Sequence, residues 1–188
     1  MSKYPARGDQ PPQPPSTASS VRGAIDSLVQ GSLVELFNAY DVAVAPLPRN
    51  AQRPEPQPSD ISATLTFTRD FGQTGRVTLS VPGPLLVLMK GEAGSTLQKD
   101  WAKELTNQLA GRIKNRLLQF SVRIQIGALA TIDSTALARQ LAASSSTRCY
   151  AGRTLRGEVV ATIQGLPDES ELRFVGTASS AEGDLILF

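Results

Sequence analysis

Asp100, Glu104 and Asn107 stand at i, i+4 and i+7 in the stretch DWAKELTNQLAGRIKNRLLQ, with Gly111 one turn farther on. If the stretch is helical, all four share one side of it. Carboxylates accept hydrogen bonds and pair with cations, while a carboxamide both donates and accepts. The chain contains no histidine, which excludes Ser–His–Asp and Cys–His triads and His-based zinc sites. Acid–base chemistry therefore falls to carboxylates, amides, lysine, tyrosine or water, or is completed by a partner.

The periodicity predicts one long helix from about Ser95 to Gln119, with Ser95 and Gln98 expected to form a capping box at its start. At about 100° per residue, Trp101, Ala102, Leu105, Leu109, Ala110, Ile113 and Leu117 spread over roughly half the wheel. That is the face that must cover a core. Asp100, Glu104, Asn107 and Gly111 fall in an arc of about 60° on the opposite side. A mid-helix glycine costs about 1 kcal/mol relative to alanine, and close approach by another surface would explain it. From the wheel alone, the arc reads first as an ordinary solvated helix face.

The elements around this helix are patterned too. Val21–Tyr40 carries Ile25, Leu28, Val29, Leu33, Leu36, Phe37 and Tyr40 at helical spacing. Residues 61–68 and 76–81 alternate strictly, and two glycines in the intervening segment predict an antiparallel hairpin with one solvated face. Leu85–Met89 is too short for its period to separate strand from helix. Val122, Ile124 and Ile126 predict another strand, and Ser134–Ala143 a short helix or an extended loop. Further strands are expected near Arg148–Tyr150, Gly157–Gln164, Leu172–Thr177 and Leu185–Phe188. This order predicts an α+β fold: a largely antiparallel β-sheet with two or three helices packed on one face.

The chain's 188 residues suffice for one cored domain. Most of its 13 prolines fall in residues 1–20, read as a Pro-rich disordered tail, and in residues 46–60, read as an exposed loop within a single domain over 21–188. No apolar run approaches the roughly 18–20 residues needed to span a bilayer, and MSKYPARGDQPPQ lacks the apolar core of a secretory signal. A single cysteine, Cys149, excludes an internal disulfide and predicts a cytoplasmic protein. A net charge of +2 and few aromatics argue against nucleic acid.

The motif helix resembles that of the CheC/CheX/FliY chemotaxis phosphatases, and CheX in particular, which carries Asp/Ser-x3-Glu-x2-Asn. Asp100-x3-Glu104-x2-Asn107 matches all three positions, and Ala110-Gly111-x-x-Lys114 is similar to the family's Ala-Gly-Asn-Ala-Lys run. The resemblance implies hydrolysis of an aspartyl phosphate on a CheY-like response regulator in chemotaxis or two-component signalling. In it Glu104 and Asn107 are the catalytic pair, and Asp100 and Gly111 contact the partner. It implies no cofactor of the chain's own, with Mg2+ carried by the regulator; a homodimer through an exposed strand edge is a further expectation. The alternative is a non-catalytic regulator-binding adaptor or flagellar-switch-like module.

Two departures accompany the match. The family's motif ends with a proline after the following strand, where Gly127–Thr131 here has none, and Arg112 replaces a small polar residue. Glu35-x2-Asn38 echoes the motif, but Gly31 occupies the place of the leading Asp or Ser. That helix is expected to be a pseudo-equivalent without catalysis. Gly91–Thr96 lacks a P-loop lysine and reads as a turn with a cap, while Cys149 reads as a core or edge thiol.

Overall fold

The computed structural model describes residues 23–48, 57, 59–91, 94–143 and 146–175. The tail over 1–20, the strand expected at Leu185–Phe188 and most of the proline-rich loop lie outside them. Helix α1 runs Ala24–Asn38, opening at Gly23 with φ 76°, where Ser27 N–H donates to the Gly23 carbonyl at 2.9 Å. Its apolar positions bury Ile25, Leu28, Val29, Leu33, Leu36 and Phe37. The chain turns out of the helix through Asp41 at φ 59° into the two-residue strand β1, Ala45–Pro46, which sequence reasoning missed.

Strands β2 (Asp60–Arg69) and β3 (Thr74–Pro82) form the expected antiparallel hairpin, with Ala63 opposite Leu79 and Leu65 opposite Val77. A single 3-10 turn over Asp70–Gly72 links them. Leu85–Met89 proves helical, as part of α2 (Gly83–Lys90). Pro84 stands in its first turn, and Gly91 closes it at φ 76° with its N–H on the Val87 carbonyl. Proline near the start and a left-handed glycine past the end are the usual punctuation of a short helix.

Helix α3 is the long one, Ser95–Leu117, about 35 Å at 1.5 Å per residue. The expected capping box is not formed: Gly94 is the cap, no side chain bonds there, and Ser95 already lies inside the helix. A 3-10 turn over Leu118–Phe120 and a left-handed Ser121 release the chain into β4, Ile124–Ile132. This strand runs farther than its alternation predicts, through the proline-free Gly127–Thr131. Helix α4 (Ser134–Ala142) is capped by Asp133, whose carboxylate accepts from the Ala136 N–H. Strands β5 (Arg148–Thr154) and β6 (Gly157–Gln164) follow. The strand expected from Leu172 is not formed over the described residues 172–175.

Among the described residues the six strands form one sheet in the order β1-β5-β6-β3-β2-β4, antiparallel at every pairing. Helices α1, α2 and α3 share one core with its inner face. Leu105, Leu109 and Ile113 of α3 meet Phe67, Val77 and Leu79 there, all at most 1% exposed. Truncating any one of these large side chains to alanine would cost about 2–5 kcal/mol. The hairpin's other face is less solvated than expected. Ser62, Thr78 and Ser80 are at most 4% exposed, and their hydroxyls pair across strands: Ser62 with Ser80 at 2.7 Å and Thr78 with Thr64 at 2.9 Å. Helix α4 touches β2 and buries Leu137 outside the main core.

Candidate functional site

The core requirement fixes the orientation of α3. Ala102, Leu105, Thr106, Leu109, Ala110, Ile113 and Leu117 are all buried, which turns the opposite side of the helix outward. Thr106 belongs to this inner face despite its hydroxyl, which donates to the Ala102 carbonyl at 2.7 Å. Asp100, Glu104 and Asn107 are consequently all exposed, so the three residues singled out by spacing share one open surface.

Gly111 lies on the same side. Among the described residues, a Cβ built there would meet no atom within 4 Å, neighbours in its own helix aside. Internal packing therefore does not require the glycine. Contrast Gly31, where a Cβ would come within 2.7 Å of Arg116 Nη1, and Gly127, where it would come within 2.8 Å of Thr66 Oγ1. Those two glycines are explained by contacts inside the fold; Gly111 is not.

The polar groups of this face are partly engaged. Asp100 pairs with Lys103 at 2.7 Å, an exposed ion pair worth little in stability. Gln108 Nε2 donates to Glu104 Oε1 at 2.9 Å, and the Tyr40 hydroxyl donates to Gln108 Oε1 at 2.9 Å. The Asn107 carboxamide makes no side-chain hydrogen bond among the described residues, so both its donor and its acceptor face solvent. At the start of the face, Lys90 Nζ lies 5.2 Å from the Trp101 ring centroid, and Tyr40 meets the same ring edge-on, at 5.3 Å and 80°. These are favourable cation–π and aromatic geometries.

Tyr40 and Gln108 were missed as site neighbours by sequence reasoning. The helical pattern marks Tyr40 only for its apolar ring, and Gln108 lies off the outward arc. The one signal present was the i,i+4 spacing of Glu104 and Gln108, which places their side chains within reach.

The echo on α1 has a different fate. Glu35 is exposed, but its carboxylate is bonded by Arg116 and approached by Arg112 at 4.0 Å. Arg116 also donates to the Leu28 carbonyl at 3.2 Å, crossing α1 where Gly31 has no side chain to obstruct it. Asn38 is exposed. The second Glu-x2-Asn thus supplies the acid of an interhelix clamp. The two arginines come from the motif helix itself, and Arg112, a departure from the family pattern, turns toward α1.

The second departure also has a structural setting. Gly127–Thr131 lies within β4, an edge strand, which pairs with β2 on both sides of a register shift between Leu65 and Phe67; Leu129, Ala130 and Thr131 lie on one side of it and Ile126 on the other. Gly127 sits at that irregularity, against Thr66. Among the described residues no three of His, Cys, Asp and Glu gather as a metal site, and no helix is long and apolar enough to cross a membrane.

No family model and no curated protein sequence matches the chain, but its backbone matches solved structures. A CheC-like superfamily protein from Shewanella sp. PV-4 aligns with a TM-score of 0.59 at 15% identity, over 74% of this chain and 96% of that one. A chemotaxis protein CheX from Desulfovibrio desulfuricans aligns at 0.54 and 14% identity, over 77% and 98%. A chain of the CheX–CheY–BeF3–Mg2+ complex from Borrelia burgdorferi aligns at 0.50 and 11% identity, over 80% and 97%. Identities this low speak to architecture alone. The α+β sheet with its helical layer is the fold of the CheC-like and CheX chemotaxis proteins.

Proposed function

We propose that this chain dephosphorylates a CheY-like response regulator carrying an aspartyl phosphate, and that α3 presents the residues responsible. The observation that carries the reading is the joint exposure of Asp100, Glu104 and Asn107 on one face, beside a glycine that the fold itself does not need. The neighbour crystallised as a CheX–CheY complex supports the choice of partner. An acyl phosphate is already activated, so the catalyst has only to position a water in line and stabilise charge. Asn107 is suited to that role, because its free carboxamide donates to a phosphoryl oxygen or accepts from the water, with no general base required. Glu104 pairs with a lysine of the regulator, an attraction that strengthens as water leaves the interface. Asp100 adds a peripheral contact, and Mg2+ stays with the regulator's own carboxylates. The setting is the cytoplasm. The free edge of β4 is where a homodimer would form, which sedimentation would detect.

The test is phosphate release from an acetyl-phosphate-charged CheY-type receiver, with and without this protein. Asn107→Ala is expected to fold normally and to lose turnover by about 10²-fold, the scale of losing one positioned group. A folded Asn107→Ala protein with undiminished turnover would reject the assignment. Binding without acceleration by the unmutated chain would establish the adaptor instead.

A further inference from the structure

Glu104 is not left to find its own rotamer. A carboxylate can only accept, so the Gln108 group facing it at 2.9 Å must be the NH2 end of the carboxamide. That choice turns Gln108 Oε1 toward Tyr40, whose hydroxyl at 2.9 Å must then be the donor. The direction of the whole chain, Tyr40 to Gln108 to Glu104, is therefore set by chemistry at one end. Its other end is firmly held. Tyr40 follows the last turn of α1, its N–H on the Phe37 carbonyl at 2.9 Å, and its ring stands edge-on against Trp101. Phe37 itself is fully buried.

We infer that Gln108 and Tyr40 are positioning residues for docking, holding the Glu104 carboxylate in place for a cationic group on the partner. The inference rests on the functional reading above. Gln108 occupies one oxygen of Glu104 and leaves Oε2 for the partner's lysine. Fixing the carboxylate before the encounter lowers the ordering cost of binding, and the two bonds in series polarise one another. Because the relay starts just past the end of α1 and ends on α3, the docking acid is registered to the interhelix packing.

The test uses Gln108→Met, which keeps length and helix propensity but cannot donate, and Tyr40→Phe, which keeps the ring and loses only the hydroxyl. Each is expected to raise KM for the acetyl-phosphate-charged receiver by about two- to ten-fold, the worth of one such hydrogen bond. kcat should be unchanged, because Asn107 is untouched. In a Glu104→Ala background neither substitution should raise KM further. An equal rise in that background would overturn the relay, since the effect would not pass through Glu104. If Glu104→Ala raises KM and neither relay variant does, the relay fails while the site stands. If Glu104→Ala itself leaves KM unchanged, the docking role of Glu104 fails and the relay with it.

Discussion

Replacing Gly111 by alanine should make the protein more stable and, on the proposed function, a poorer phosphatase at once. A Cβ at this position meets nothing within 4 Å among the described residues, so the substitution carries no packing penalty there. Position 111 lies well inside the 23-residue helix α3, where alanine is favoured over glycine by about 1 kcal/mol. In a domain of this size that corresponds to a rise in Tm of about 2–4 °C. On the proposed function, the same methyl group would have to fit between two surfaces in the docked state. Overpacking of one such group costs about 1–3 kcal/mol, which is about five- to 150-fold in kcat/KM if none of the strain is relieved. Thermal melts followed by circular dichroism would give the first quantity, and phosphate release from an acetyl-phosphate-charged receiver the second. A variant that melts higher yet keeps the parental kcat/KM would show that no partner comes close to Gly111. A variant that melts lower would contradict the open space itself.

Other expectations follow from the same contacts. Glu35→Ala removes the carboxylate that Arg112 and Arg116 share, while the Arg116 bond to the Leu28 carbonyl remains; the ion pairs are half-exposed, so stability should fall by no more than about 1 kcal/mol, and turnover should persist. Loss of turnover in a folded Glu35→Ala protein would restore α1 as a catalytic helix. Gly75→Ala drives a methyl group into the Phe67 ring and to 2.7 Å from the Gln164 carbonyl, and chemical denaturation should register a loss of about 1–3 kcal/mol. Burial raises the Asp60 carboxyl above its usual value of 3.8, against a smaller opposing effect from the Gln57 N–H. The folded state thus retains a proton that the unfolded chain has released, and Asp60 lowers stability as pH climbs through that interval. Relative to Asp60→Asn, the parent should lose ground as pH rises from the usual carboxyl value of 3.8 in urea titrations; a difference of the opposite slope would refute the sign.

The parts of the structure legible in the sequence were those where a period of 3.6 or 2 runs unbroken. Helices α1 and α3 and the β2–β3 hairpin bury the residues their patterns nominate, because one buried face leaves no freedom of register. The outward direction of Asp100, Glu104 and Asn107 was legible for the same reason. Leu85–Met89 was ambiguous by period, yet Pro84 and Gly91 already bracketed a helix. The full length of β4 was hidden because an edge strand with a register shift at Gly127 need not alternate. The buried hydroxyls of Ser62, Thr78 and Ser80 read as a solvated face because pattern arguments count hydroxyls as polar, whereas cross-strand pairing lets them be buried. The tie from Tyr40 to Gln108 joins residues 68 positions apart, a separation that no local period reaches.

The clamp around Glu35 bears on stoichiometry. Two similar helices side by side could serve two receivers per chain if each offered a free acid and a free amide. Here Glu35 is committed to Arg112 and Arg116, and of the two motif acids only Glu104 is held by no cation among the described residues. One domain should therefore saturate with one phosphorylated receiver, and titration calorimetry would return a ratio near unity. Arg112, which departs from the motif pattern this helix resembles, and its neighbour Arg116 would then be what sets the valency.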